Sequence, residues 1–273
     1  MLEKDNTAVI NPGAPEQVHI LFFDIDGTTY QNNIRDLPAS AWQTLQQMKD
    51  NGMKLVIDTS RAKKEMSQLP QRFITMMDAL IMNAGSQIEI DGHTSYRYLD
   101  DAHVRKAIAV MEANNIVYRW VDDHDGCWLN RSEKDIDQVF YRLYAMIPEV
   151  KKWNGERLIQ ILYYTTDEKL IQEIDEIFSS EIHTHFEIAH EQTPKGIDKG
   201  SAMEIVCEHF GCTLVNAAAF GDGPNDVCML KAASLGIAMG NACVECRESA
   251  DYVTANIEND GLRKACLHFG WIK

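Results

Sequence analysis

Four short stretches of this chain carry residues whose types and spacing could do chemistry. The first, "ILFFDIDGTTY" from Ile20 to Tyr30, ends an apolar run on two aspartates, Asp24 and Asp26, followed by Gly27 and Thr28. Side chains two apart in an extended strand share a face, so both carboxylates are expected together at the strand's carboxyl end. Like charges that close repel unless a cation or a shared proton compensates. The stretch "AFGDGPND", 219–226, repeats the pattern. Asp222 sits in a glycine-flanked turn, while Pro224, Asn225 and Asp226 suit the first turn of a helix. Asp24, Asp26, Asp222 and Asp226 form an oxygen-rich set suited to Mg2+, a hard cation that keeps several waters.

Two further stretches supply the complement. In "VIDTSR", 56–61, Thr59 and Ser60 stand between a strand and a helix. Hydroxyls there either cap the helix or, with its N–H groups, grip a phosphate. In "TPKGIDKGSA", 193–202, Lys195 and Lys199 precede a helix, where a fixed ammonium would offset carboxylate and substrate charge. Taken singly, each stretch also fits ordinary turn and cap chemistry. Their joint occurrence at three strand ends and one helix start points to a single site.

Positioning these residues calls for a parallel sheet. "VHILFF", "MKLVID" and "DALIMN" read as buried strands separated by the helical patterns "PASAWQTLQQMKDNG" and "SRAKKEMSQL". Strand and helix alternate with short joints, as right-handed parallel crossovers require. After Gly85 the texture changes. "SQIEI" and "SYRYL" flank Asp91-Gly92, "IVYRWVDD" and "CWLN" flank a second turn, and "RLIQILYYTT" and "HTHFEIAH" alternate. Helical patterns at 101–114, 133–146 and 167–178 lie between them, so an antiparallel sheet covered on one side is expected. From about Pro194 the buried strand–helix alternation returns to the end. The expected fold class is therefore α/β: a split core, 1–85 plus 195–273, with an inserted α+β module over 86–194.

The ordered set resembles the haloacid dehalogenase-like superfamily, within its Cof-type phosphatase branch, and the likeness runs from about residue 18. It includes the tail "NDVCMLKAASLGIAMGNACVECRESADYVTANIENDG". The resemblance implies a Rossmann-like core with a cap between the second and third motifs. It implies that Asp24 attacks phosphorus to form an aspartyl-phosphate, and that Asp26 serves as acid and then base. Asp24, the Asp26 backbone carbonyl and Asp222 would hold Mg2+, with Asp226 acting through water. Thr59, Ser60, Lys199 and Asn225 would hold the phosphoryl group. "KGSA" fits the third motif better than "KGID", which favours Lys199 over Lys195. The motif Asp-Thr-Ser-Arg has Ser60 where the branch more often has Gly, and "MNAGSQ" departs from the usual Asn-Gly around Asn83. The implied activity is hydrolysis of small phosphate monoesters, such as sugar phosphates or phosphorylated cofactors. A phosphomutase and a phospho-accepting regulator without turnover share the same first step.

Composition bounds the partners. A net charge of −15 repels nucleic acid and anionic lipid, so a small phosphorylated metabolite is the expected partner. No apolar run approaches the roughly 18 residues of a membrane span. The polar stretch 1–17 lacks a signal peptide's apolar segment, and seven cysteines read as free thiols, so a cytoplasmic setting is expected. The pair Cys243 and Cys246 has no partner pair for zinc. "DDHD", 122–125, reads as turn chemistry. His183, His185 and His190 read as packing or solvent-facing, and Trp120, Trp128, Tyr163 and Tyr164 as core of the inserted module.

Overall fold

The computed structural model describes residues 18–142 and 145–273; the polar stretch 1–17, and residues 143 and 144 of the expected helix 133–146, lie outside them. The chain opens with β1 (Ile20–Phe23), α1 (Ala39–Asp50), β2 (Lys54–Asp58), α2 (Lys63–Met66), α3 (Gln71–Met76) and β3 (Ala79–Met82). The hairpin β4 (Gln87–Ile90) and β5 (His93–Tyr96) follows, then α4 (Asp101–Ala113). Next come β6 (Val117–Asp122), β7 (Cys127–Leu129), α5 (Lys134–Arg142), β8 (Glu149–Val150), β9 (Leu158–Tyr164), α6 (Glu168–Ile177), β10 (Ile182–His185) and β11 (Ala189–Thr193). The last third holds α7 (Lys199–His209), β12 (Ala217–Gly221), α8 (Val227–Ala232), β13 (Leu235–Ala238), α9 (Val244–Ser249), β14 (Tyr252–Val253) and α10 (Gly261–His268).

The strands form two sheets. The larger runs β14-β13-β12-β1-β2-β3-β4-β5, parallel from β14 to β3 and antiparallel over the last hairpin. The smaller runs β10-β11-β9-β6-β7-β8. Expected with the inserted module, the hairpin "SQIEI"–"SYRYL" instead extends the larger sheet, because Gln87–Ile90 pairs directly with β3. "HTHFEIAH", read as one strand, folds back on itself as β10 and β11. The helix read at "SRAKKEMSQL" is confined to Lys63–Met66, and Pro70 opens a separate α3.

Period-two alternation decides what each strand face meets. Leu21, Phe23, Leu55, Ile57 and Phe220 pack with α1 and α10 residues such as Leu45 and Leu262. Ile20, Phe22, Val56, Ala217 and Ala219 pack on the other side with Met203, Val206 and Met229 from α7 and α8. In the smaller sheet Tyr118, Trp120, Ile161 and Tyr163 are sealed against α4 and α6. The opposite face, with Arg119, Val121 and Gln160, turns toward the larger sheet's loops.

The two units are tied by a buried ion pair. Arg119 Nη2 on β6 lies 2.6 Å from Glu65 Oε2 on α2, and both side chains are about nine-tenths buried or more. Glu65 also accepts the Ala62 amide at 2.7 Å, closing the start of α2. Removing only one member strands a buried charge, whereas replacing both does not. Arg119→Met is expected to destabilise the protein by about 3 kcal/mol in urea unfolding. The double change Arg119→Met with Glu65→Met should recover most of that loss; additive losses would contradict the pairing.

Candidate active site

The alternation of β1 delivers the first carboxylate. Ile20 and Phe22 face α7, so Asp24 continues that series and meets Lys199, the first residue of α7. Lys199 Nζ lies 2.6 Å from Asp24 Oδ1 and 2.6 Å from Asp226 Oδ1, with all three groups buried. Asp198 caps α7 by accepting the Ser201 amide at 2.7 Å, which fixes where the lysine starts. On β2, Val56 faces the same way, and so does Asp58 two residues on. Neither Asp58 oxygen has a hydrogen-bond partner among the described residues. Burial therefore holds that carboxyl well above its ordinary pKa, with Lys199 only partly opposing. Asp58 entered the sequence reading only as the first residue of the Asp-Thr-Ser-Arg motif and was given no role.

Asp24, Asp222 and Asp226 each offer an oxygen within 4.8 Å of the others. They lie at the carboxyl ends of β1 and β12, the adjacent strands from which the chain runs outward in opposite directions, where open parallel sheets bind ligands. Asp222 Oδ1 accepts from the Thr28 hydroxyl at 2.7 Å, and its Oδ2 accepts from Asn241 Nδ2 at 3.2 Å. Asp226 Oδ2 accepts the Asp222 and Gly223 amides, at 2.8 and 2.9 Å, so both its oxygens are already engaged. Asp24 Oδ2 accepts no hydrogen bond among the described residues. Gly27 adopts φ +85°, and a Cβ there would collide with the Asp222 carboxylate, so the turn admits no side chain.

Charge does not balance among the protein groups alone. Burial, then Asp226, pushes Asp222 up to about 7. Burial and Asp226 likewise hold Asp24 well above the usual carboxylate range, against the pull of Lys199. Three carboxylates with one ammonium, all-oxygen donors and one open carboxylate oxygen fit a hard divalent cation such as Mg2+.

Asp26 takes a different partner. The ladder ends at Phe23 and the turn at Gly27 redirects the chain, so Arg61 grips Asp26 bidentately, at 2.6 and 2.7 Å. The Asp26 side chain is thus outside the carboxylate set, and only its main-chain carbonyl remains for a cation. Arg61 itself was legible in "DTSR" and was given no role. Thr59 Oγ1 accepts the Arg61 amide at 3.1 Å, and Asn225 Nδ2 donates to Ser60 Oγ at 2.9 Å. The 59–61 loop is pinned from below, since the Asn83 and Ala84 amides donate to the Arg61 and Thr59 carbonyls at 3.1 and 3.0 Å. Asn83 does this at φ +51°. Lys195 is exposed and does not join the cluster.

The smaller sheet contributes a polar roof that sequence reading missed. Gln160 Nε2 donates to Glu191 Oε1, Arg119 Nη1 donates to Gln160 Oε1 at 2.8 Å, and Ser60 Oγ reaches Glu191 Oε2 at 3.5 Å. The signal was present in the strands themselves. Arg119 alternates with Tyr118 and Trp120, and Glu191 with His190 and Gln192, so each polar side chain belongs to the face away from the helices. A cleft of about 340 Å3 lies at the start of α7, lined by Thr184, Thr193, Lys199 and Asn225 among others. "DDHD" does form a turn, in which Asp122 Oδ1 accepts the His124 and Gly126 amides at 2.9 Å.

Burial pushes Glu191 up to about 7 from 4.5, although Arg119 and Lys199 pull it down. A folded-state pKa above the unfolded one gives stability that is complete below about pH 4.5 and lost as pH rises through 7. Across that window wild type should lose roughly 3 kcal/mol that Glu191→Gln does not. Thermal unfolding of both proteins from pH 4.5 to 8 measures the difference. Parallel curves would remove Glu191 as a buried titrating group.

Comparison with known proteins agrees with this geometry. The family model for haloacid dehalogenase-like hydrolases matches residues 21–265. A putative phosphatase, YkrA of Bacillus subtilis, is 26% identical over 93% of this chain and 98% of its own. The 5-amino-6-(5-phospho-D-ribitylamino)uracil phosphatase YcsE of the same organism is 25% identical over 92% of this chain and 96% of its own. Among solved structures, a sugar phosphatase of subclass IIB superposes with a TM-score of 0.85 at 27% identity, covering 93% of this chain and all of that one. With a matched span from the first core strand to the last helix, and a core sheet carrying a second, cap-like sheet, this chain belongs to the haloacid dehalogenase-like hydrolases.

Proposed function

We propose that the protein is a Mg2+-dependent phosphatase of small phosphate monoesters, sugar phosphates or phosphorylated cofactors, working through an aspartyl-phosphate on Asp24. The observation that carries this reading is the Asp24 carboxylate itself. It stands at the carboxyl end of β1 with Oδ1 held by Lys199 and no donor among the described residues on Oδ2. A carboxylate fixed by one oxygen presents the other as a nucleophile, and attack on phosphorus splits hydrolysis into two displacements.

Each remaining residue has a job within that scheme. Asp24, Asp222 and the Asp26 carbonyl would hold the cation, with Asp226 orienting Asp222 through its amide and touching the ion through water. When bound, the divalent cation supplies charge neutralisation at the phosphoryl oxygens. Thr59, Ser60 and Asn225 donate hydrogen bonds to the transferring group, and Lys199 adds its ammonium. Asp26 protonates the leaving alkoxide and then deprotonates the attacking water, one group acting as acid and then base. Arg61 orients Asp26 and must yield it when the proton moves.

Arg119, Gln160 and Glu191 would meet the leaving group from above. A roof of hydrogen-bonding groups rather than an apolar lid suits a hydroxyl-bearing substrate. The named activities of the relatives support the same class. None of the seven cysteines is in a disulfide, which supports a reducing, cytoplasmic setting.

A panel of phosphorylated metabolites assayed for free phosphate tests the reading. Turnover should vanish on chelation and return with Mg2+. Asp24→Asn should lower kcat by roughly a thousandfold or more while circular dichroism stays native. A folded Asp24→Asn protein with wild-type turnover would falsify the mechanism. Isomer exchange among hexose phosphates without net phosphate release would instead indicate a mutase.

A further inference from the structure

On the opposite face of the smaller sheet, three histidines gather round one aspartate. β10 and β11 pair so that His183 lies opposite Gln192 and His185 opposite His190. All four face α6, whose Asp175 stands among them, whereas Glu191 points to the other side with the proposed active-site roof. His183 Nδ1 is 2.9 Å from Asp175 Oδ1, and His185 Nε2 is 3.2 Å from Asp175 Oδ2.

The hydrogen bonds fix which ring nitrogens face Asp175. A carbonyl oxygen only accepts, so His183 Nε2 donates to the Phe178 carbonyl at 3.0 Å. In the neutral ring, Nδ1 is then a bare lone pair. By the same rule His190 Nε2 donates to the Thr165 carbonyl at 2.9 Å, leaving its Nδ1 as an acceptor. His185 Nδ1 lies 2.9 Å from that nitrogen and must be the donor, so His185 Nε2 also carries a lone pair. With both rings neutral, two ring lone pairs point at a carboxylate, so the positive centre between them is either an added ring proton or a metal ion.

We propose that Asp175 Oδ, His183 Nδ1 and His185 Nε2 form a second cation site, for a borderline-soft divalent metal of the Zn2+ type, separate from the proposed catalytic carboxylates. Two imidazoles and one carboxylate are a ligand set such metals take, leaving a further position for water. The three ligand atoms already lie within 4.8 Å of one another. Tetrahedral bonds of about 2.0 Å imply ligand–ligand edges of about 3.3 Å, and the two histidine–carboxylate contacts, 2.9 and 3.2 Å, are close to that length. The surrounding hydrogen bonds are those that metal ligands require. Phe178 and, through His190, Thr165 set the two rings, while Tyr163 Oη and Gln192 Nε2 donate to Asp175 Oδ1 at 3.3 and 3.2 Å. An open groove of about 520 Å3 along α6, lined by Asp175, Glu176, Ser179 and His183, gives access. Once bound, the metal clips α6 to β10, a strand at the sheet's edge.

The test uses the full chain, stripped by chelation and held in excess Mg2+ to fill the carboxylate site. Co2+, a coloured stand-in, should bind at one equivalent with the absorption of a four- or five-coordinate nitrogen-containing site, and Zn2+ should displace it. His183→Ala and Asp175→Asn should each weaken that binding by about tenfold or more. Asp222→Asn should leave it intact. Because the substitutions could disturb the hairpin, ring 15N spectra of the wild type provide a second readout. Zn2+ should shift His183 Nδ1 and His185 Nε2 and leave His190 Nε2 bonded to its proton. Unaltered ring nitrogens at saturating Zn2+, or Co2+ binding indifferent to His183→Ala, would overturn the proposal.

Discussion

The ammonium of Lys199, buried between Asp24 and Asp226, is the constraint on which the rest of the structure turns. A lysine with no exposed side-chain surface is tolerable only when paired, and here two carboxylates share it. Its pKa is held well above the ordinary value by Asp226 and Asp24 despite the opposing effect of burial. The pairing sets the start of α7 against the end of β1, joining residues 175 positions apart. One cation still does not neutralise Asp24, Asp222 and Asp226, with Asp58 close behind. The surplus of negative charge makes the cluster receptive to a divalent ion and, through that ion, to a phosphate. An acidic chain with a net charge of −15 can accept an anionic ester because the attraction is local.

The same two-residue period organises both sheets. In the larger one it separates Leu21 and Phe23 from Ile20, Phe22 and Asp24, so a single strand seals one core and supplies one carboxylate to the other side. In the smaller one it separates Tyr118 and Trp120 from Arg119, and His190 and Gln192 from Glu191. One face becomes a roof over the carboxylates. The other becomes a helix-covered layer whose edge gathers the histidines around Asp175. Neither assignment needs special backbone geometry, and both fail with a one-residue slip in register.

The motifs were legible in the sequence because their geometry is local. Asp24, Thr59 and Asp222 follow strands directly, so type and spacing bring them to one sheet end, whereas the choice of Lys199 over Lys195 rests on the family likeness of "KGSA". What the sequence hid depends on pairing across distance. The hairpin 87–96 looked like part of the insert because its alternation resembles the later strands, and only its ladder with β3 shows its sheet. Arg119, Gln160 and Glu191 were passed over because three strands must assemble before they meet. The histidines of β10 and β11 looked incidental for the same reason, since nothing local announces Asp175 on α6. Asp26 shows the reverse error. Local spacing grouped it with Asp24, but the turn at Gly27 sends its carboxylate to Arg61.

That last contact bears on how the proposed acid could be tied to the cap. Arg61 holds both oxygens of Asp26 and also reaches the Glu65 carbonyl at 3.5 Å. Glu65 in turn holds Arg119 of the smaller sheet. The chain of contacts from Asp26 through Arg61 and Glu65 to Arg119 therefore crosses from the core into the cap without a gap. The bidentate grip sets the plane and direction of the Asp26 carboxylate, so re-aiming it between a leaving group and a water requires the Arg61 fork to shift with it. If substrate seated under Arg119, Gln160 and Glu191 draws Arg119 away from Glu65, the support behind Arg61 is altered at the moment the acid is needed. Contiguity alone does not make a switch, since coupling requires an element with two arrangements. The Arg61 side chain is an element placed to have two, because the proposed chemistry asks Asp26 to serve a leaving group and then a water within one turnover.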